Sequence, residues 1–117
     1  MSKAAKSVLV FGIYLVVIGI GFLAMPNTPL ALLGFPTTSE PWIRVVGLLL
    51  LILAYYYIQA ARSEMKRFFR WTVHARSSVI VCFIILVLLG LAQPMLIGFG
   101  VIDLLAALWT NRALRDS

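Results

Sequence analysis

The sequence predicts an all-α integral membrane protein, a four-helix bundle made of two antiparallel hairpins with both termini in the cytoplasm. Three observations predict it. Hydrophobic residues make up 62% of the chain, charged residues only 12%, and mean hydropathy is +1.03, beyond the roughly half-apolar make-up of soluble domains. A soluble chain of 117 residues would have too little polar surface to cover so much apolar side chain, whereas lipid removes the need to hide it. Four long apolar stretches follow one another, and the basic residues mark every second gap. The clusters are Lys3 and Lys6, then Arg62, Lys66, Arg67, Arg70 and Arg76, then Arg112 and Arg115, with Arg44 outside them. Short loops rich in Lys and Arg stay on the cytoplasmic side during insertion, which places the termini and the central loop inside. Residues 1–117 form a single transmembrane domain, with spans at about 8–25, 42–61, 77–92 and 95–110 and a basic cytoplasmic loop at 62–76.

The first span is long enough to cross most of a roughly 30 Å hydrocarbon layer and ends at Pro26 and Pro29. Lys3 and Lys6 precede an apolar stretch longer than a signal core, and Met25, Pro26 and Asn27 do not make a small-x-small cleavage site, so the expectation is an anchor. Gly12, Gly19 and Gly21 leave notches for a neighbouring helix, without the GxxxG spacing. The outer loop, 26–41, carries Leu30, Leu32, Leu33 and Phe35 between prolines and is expected to lie on the outer interface. Pro41 and Trp42 suit a first helical turn with an interfacial ring. Tyr55, Tyr56 and Tyr57, about 100° apart on a helix, cannot all line one pocket and read as an aromatic belt. The third and fourth spans, joined by little more than Gln93 and Pro94, form a tight hairpin. An internal echo pairs Gly21 to Pro26 with Gly90 to Pro94, and Ile43 to Gly47 with Ile102 to Ala106, which suggests two hairpins of one orientation.

Asp103 is the residue most at odds with its surroundings. A carboxylate well inside a span costs about 2.5 to 3.5 kcal/mol on insertion scales, so it faces the interior, takes up a proton or pairs. Tyr14, roughly 12 Å above Lys6, matches the depth of Asp103, roughly 13 Å above Arg112. Arg44 is the obvious charge partner, although it lies roughly 27 Å from Arg62 and a direct contact must close a gap on the order of 10 Å. Asp103, Arg44 and Tyr14 are therefore expected in one buried polar network. It serves either as a clasp that fixes helix register or as a ligand or proton site.

In the central loop Phe68, Phe69 and Trp71 alternate with Lys66, Arg67 and Arg70, a pattern suited to the headgroup layer, with rings inserted and cations on anionic lipid. The net charge of +6 is read as topology, with no nucleic-acid partner. Cys82 and His74 are each alone, so a disulfide, a bis-histidine haem and a His-rich metal site find no support. No phosphate loop, activated serine or spaced carboxylate pair appears, and no cofactor or catalysis is expected of this chain alone.

Several features together resemble the DoxX-like group of small bacterial four-helix membrane proteins. They are the proline-broken first loop, Arg44 to Gly47 opening the second span, Tyr55 to Arg62, the aromatic and basic segment from Phe68 to Arg76, and Asp103 ahead of Ala107 to Thr110. Some members of the broader group are linked to quinone-coupled oxidoreductase complexes, so the resemblance implies an accessory membrane subunit. Small multidrug-resistance transporters share the length and the four spans, but they carry a membrane-embedded acid in the first helix, where this chain has Tyr14 and glycines.

Three functions are consistent with these residues. The first is a non-catalytic accessory subunit or lipophile-binding protein of a bacterial inner membrane, in contact with lipid, with other subunits or with copies of itself. The second is a small proton-coupled transporter centred on Asp103. The third is a quinone-linked oxidoreductase subunit, which predicts a quinone-sized pocket near Tyr14 and Asp103.

Overall fold

The computed structural model describes residues 1–25, 27–32, 34 and 41–115, and every element among them is helical. They are α1 (Lys3–Ala24), the short α2 (Asn27–Leu32), α3 (Trp42–Arg62), α4 (Lys66–Leu88) and α5 (Leu96–Arg115). The four long helices are each long and apolar enough to cross a membrane, and the longest dimension, 44 Å, matches a bilayer with its headgroups. Half of the outer loop, including Pro26, Leu33 and Phe35, lies outside the described residues, as does Asp116.

Local chemistry sets the helix ends. The Ser2 hydroxyl accepts from the Ala5 amide at 3.0 Å and caps α1. At the end of α4 the Leu91 amide donates to the Leu86 carbonyl and the Gly90 amide to Val87, with Gly90 at φ +73°. This is a Schellman stop, and glycine takes its left-handed position without penalty. The end of α3 repeats the same pair of bonds, Met65 to Ala60 and Glu64 to Ala61, but here the left-handed residue is Glu64, at φ +53°. Its carboxylate accepts from both the Ser2 amide (2.6 Å) and the Ser2 hydroxyl (2.7 Å). The turn is thus anchored to the start of α1.

One expectation is corrected at this point. The segment 62–76, read as a loop, is helical from Lys66 onward, and only residues 63–65 separate α3 from α4. No proline or glycine interrupts 66–88, so one turn of chain at Ser63 to Met65 suffices and the helix then runs on through Arg76. The α4–α5 connection is longer than expected and occupies residues 89–95.

The helices pair as α1 with α3 and α4 with α5. Both pairs are antiparallel: Gly12 faces Tyr57 while Gly19 faces Gly47, and Gly100 faces Ile80 while Thr110 reaches Arg76. A Cβ on Gly47 would lie 2.7 Å from the Gly19 carbonyl oxygen, and one on Gly100 would lie 2.9 Å from the Ile80 Cα. Each pair therefore closes at a glycine, where bare backbone permits close approach. α1 also touches α5, α4 and α2, whereas the backbones of α3 and α5 stay more than 8 Å apart. A file of apolar residues on the outside of α1, Val10, Ile13, Val17 and Ile20, is exposed and recurs at helical spacing.

Candidate functional site

The space between α3 and α5 holds a cavity of about 400 Å³. α1 supplies Tyr14, Leu15, Ile18 and Phe22, α3 supplies Ile43, Val46 and Leu50, and α5 supplies Leu96, Phe99 and Asp103, with Leu30 and Phe83 completing the wall. These positions come from the halves of the helices remote from the Lys- and Arg-rich end. Asp103 is half-buried, and the structure gives it no hydrogen-bonded partner among the described residues.

Directly beneath lies a second polar group of the opposite kind. Arg76 is only 2% exposed. Its Nε donates to the Thr72 carbonyl (3.2 Å), and its Nη2 donates to the hydroxyls of Thr72 and Thr110, both at 2.9 Å. The Thr72 hydroxyl gives its own proton to the Phe69 carbonyl, and the Ser7 hydroxyl gives its proton to Ala4. The 2.8 Å contact between Ser7 and Thr110 then has Thr110 as donor. Every hydroxyl of this cluster is used, and of its buried side-chain atoms Arg76 Nη1 alone has no hydrogen-bond partner among the described residues. The guanidinium stacks over the Phe11 ring at 4.8 Å and near Tyr57 at 5.9 Å, which offsets part of the cost of a buried cation.

Phe11 also sits 5.5 Å from both Tyr14 and Tyr57. Along α1 the order is therefore Ser7 in the arginine cluster, Phe11 as an aromatic partition, and Tyr14 in the cavity. Arg76 and Asp103 are near enough to act on each other electrostatically but make no ion pair among the described residues.

Of the network expected from sequence, the structure brings Tyr14 and Asp103 to one cavity and leaves Arg44 out. Arg44 is exposed and donates through Nη1 to the Leu23 carbonyl. Its place in the first turn of α3 puts it beside the last turn of α1, where unpaired carbonyls attract a cation. The surface assigned to lipid divides in the same way. Lys66, Arg67, Arg70 and Trp71 are exposed, but Phe69 is 0% exposed and Phe68 is half-buried, edge-on to Tyr57 at 5.6 Å. Once 66–76 is helical its residues separate onto two faces, and Phe69, Thr72 and Arg76 fall on the inner one. That i, i+3, i+7 spacing was the available signal for the arginine cluster, and reading the segment as a loop concealed it.

Chemically, the cavity offers one carboxylate and one phenol in apolar surroundings. Among the described residues no three His, Cys, Asp or Glu side chains come together to hold a metal. No family model, curated protein or solved structure matches the chain.

Proposed function

We propose that this chain is a non-catalytic multi-pass protein of a bacterial inner membrane that admits a lipophilic small molecule from the bilayer into the space between α3 and α5. The observation that carries the reading is the cavity itself, about 400 Å³ of apolar wall with Tyr14 and Asp103 on it. That size and that mixture of apolar lining with a few polar groups are typical of small-molecule sites. The clustering of Lys3, Lys6, Arg62, Lys66, Arg112 and Arg115 with both helix-chain ends supports a cytoplasmic location for that end. Reporter fusions at either terminus would both read cytoplasmic.

The test of binding is native mass spectrometry of the full chain released from mild detergent and offered lipophiles. The wild type retains one, and Leu50→Trp or Val46→Phe, which fill the cavity, lose it with helicity unchanged. A wild type that takes up none defeats the reading. A quinone-linked accessory subunit, the role that the DoxX-like resemblance implies, is the second reading. It is favoured by the presence of a phenol and a carboxyl in one cavity, since the phenol can donate to a quinone carbonyl and the carboxylate can accept from the hydroxyl of the reduced quinol.

A further inference from the structure

We infer that the cavity selects a lipophilic organic cation, an ammonium-headed molecule whose charged group lies against Asp103. The inference rests on the lipophile-binding reading and adds the sign of the ligand's charge.

The first support is charge complementarity. Among the described residues lining the cavity Asp103 is the one carboxyl, and the remainder are apolar apart from the Tyr14 phenol. An ionisable residue at this depth in a membrane protein pairs with another group or marks a substrate path. The cation nearest to it acts on it only at a distance, without a bond. Arg76 is held by Thr72 and Thr110, stacked on Phe11 and Tyr57, and absent from the cavity wall. Arg44, the other cation near this end, is engaged with the Leu23 carbonyl. The protein thus presents a carboxyl to an apolar space and, among the described residues, bonds none of its own cations to it.

The second support is the wall. Tyr14, Phe22, Phe83 and Phe99 face the same space, and aromatic faces attract organic cations through the ring quadrupole. An ammonium head satisfies both features at once. A carboxylate head is repelled by Asp103, and a hydroxyl head gains neither the charge interaction nor the ring interaction in full. The volume, about 400 Å³, suits a single chain or a single ring system.

Matched probes test this directly. Decyltrimethylammonium, decanol and decanoate share one alkyl chain and differ in the head. Each is titrated against the full chain in nanodiscs of zwitterionic lipid, with empty nanodiscs subtracted. The ammonium is expected to bind about tenfold tighter than the alcohol, a difference of one decade in Kd, with decanoate weakest. Asp103→Asn is expected to remove the preference while leaving decanol binding in place, and Asp103→Glu to keep it. Decanol binding as tightly as the ammonium overturns the inference and leaves the lipophile reading standing; failure of all three probes overturns both. Should Asp103→Asn not fold, as judged by helicity, the order of the three probes on the wild type decides.

Discussion

At its basic end the molecule is closed by polar side chains that satisfy one another, while towards the opposite end two of its long helices stay apart around an apolar space. Arg76, Thr72, Thr110 and Ser7 lie in the first region and Tyr14 and Asp103 in the second. Both regions place polar groups inside an apolar chain, yet only one accounts for nearly all its hydrogen-bonding capacity. Burying a polar group without a partner costs more than a made bond returns. A completed cluster therefore reads as a structural tie, and an unpaired acid on a cavity wall reads as a place for something else. The difference lies in the bonds made, not in the residue types.

Substitutions can break that contrast. The largest effect is expected from Gly47→Val, whose new side chain meets the Gly19 carbonyl and the Leu23 amide at a backbone crossing. It should destabilise the chain by roughly 3 kcal/mol or more, read as an earlier unfolding midpoint in mixed micelles. Thr110→Val should cost about 1 to 3 kcal/mol in the same assay, because Arg76 Nη2 and Ser7 each lose a bond inside the closed end. Arg44→Ala, which frees one exposed carbonyl at the end of α1, should cost about 1 kcal/mol.

Leu50→Phe sharpens the contrast from the other side. It enlarges a side chain beside empty space, and its effect should stay within about 0.5 kcal/mol of wild type, unlike any enlargement at Gly47 or Gly100. The smallest effect concerns Glu64. Its carboxyl is held below the usual value of 4.5 by the Ser2 hydroxyl and amide, helped by the N-terminal charge and Lys66. The stabilisation is complete above that usual value and is lost as pH falls through the lower folded-state value. Glu64→Gln should lower stability slightly at neutral pH and flatten the acid limb of a stability–pH curve, so that variant and wild type converge as the pH falls.

Much of this architecture can be read from residue order. Apolar stretches long enough to cross a bilayer, set off by Pro26, Pro41 and Pro94, announce four long helices, and helical rise alone matches Tyr14 to Asp103 in depth. The same arithmetic placed Arg44 near the far surface, and the structure puts it there; the charge complementarity that joined it to Asp103 was the weaker argument. Arg76 was hidden for a different reason. Its charge counts towards a topological cluster, and the i, i+3, i+7 spacing of Phe69, Thr72 and Arg76 goes unread when 62–76 is taken as a loop; the rings from α1 and α3 and the hydroxyl from α5 that complete its burial are distant in sequence. Phe69 was misplaced through the same local reading. The cavity was illegible as a volume, because it exists only where α3 and α5 fail to meet.

The bond between Ser7 and Thr110 spans 103 positions of sequence and joins the earliest helix to the final one. Synthesis delivers the N-terminal part first, so α1, α3 and α4 are in place while Arg76 still lacks the Thr110 oxygen. A nascent chain halted before α5 keeps that guanidinium short of a partner within a hydrophobic assembly. Completion of the last helix is then what supplies the bond.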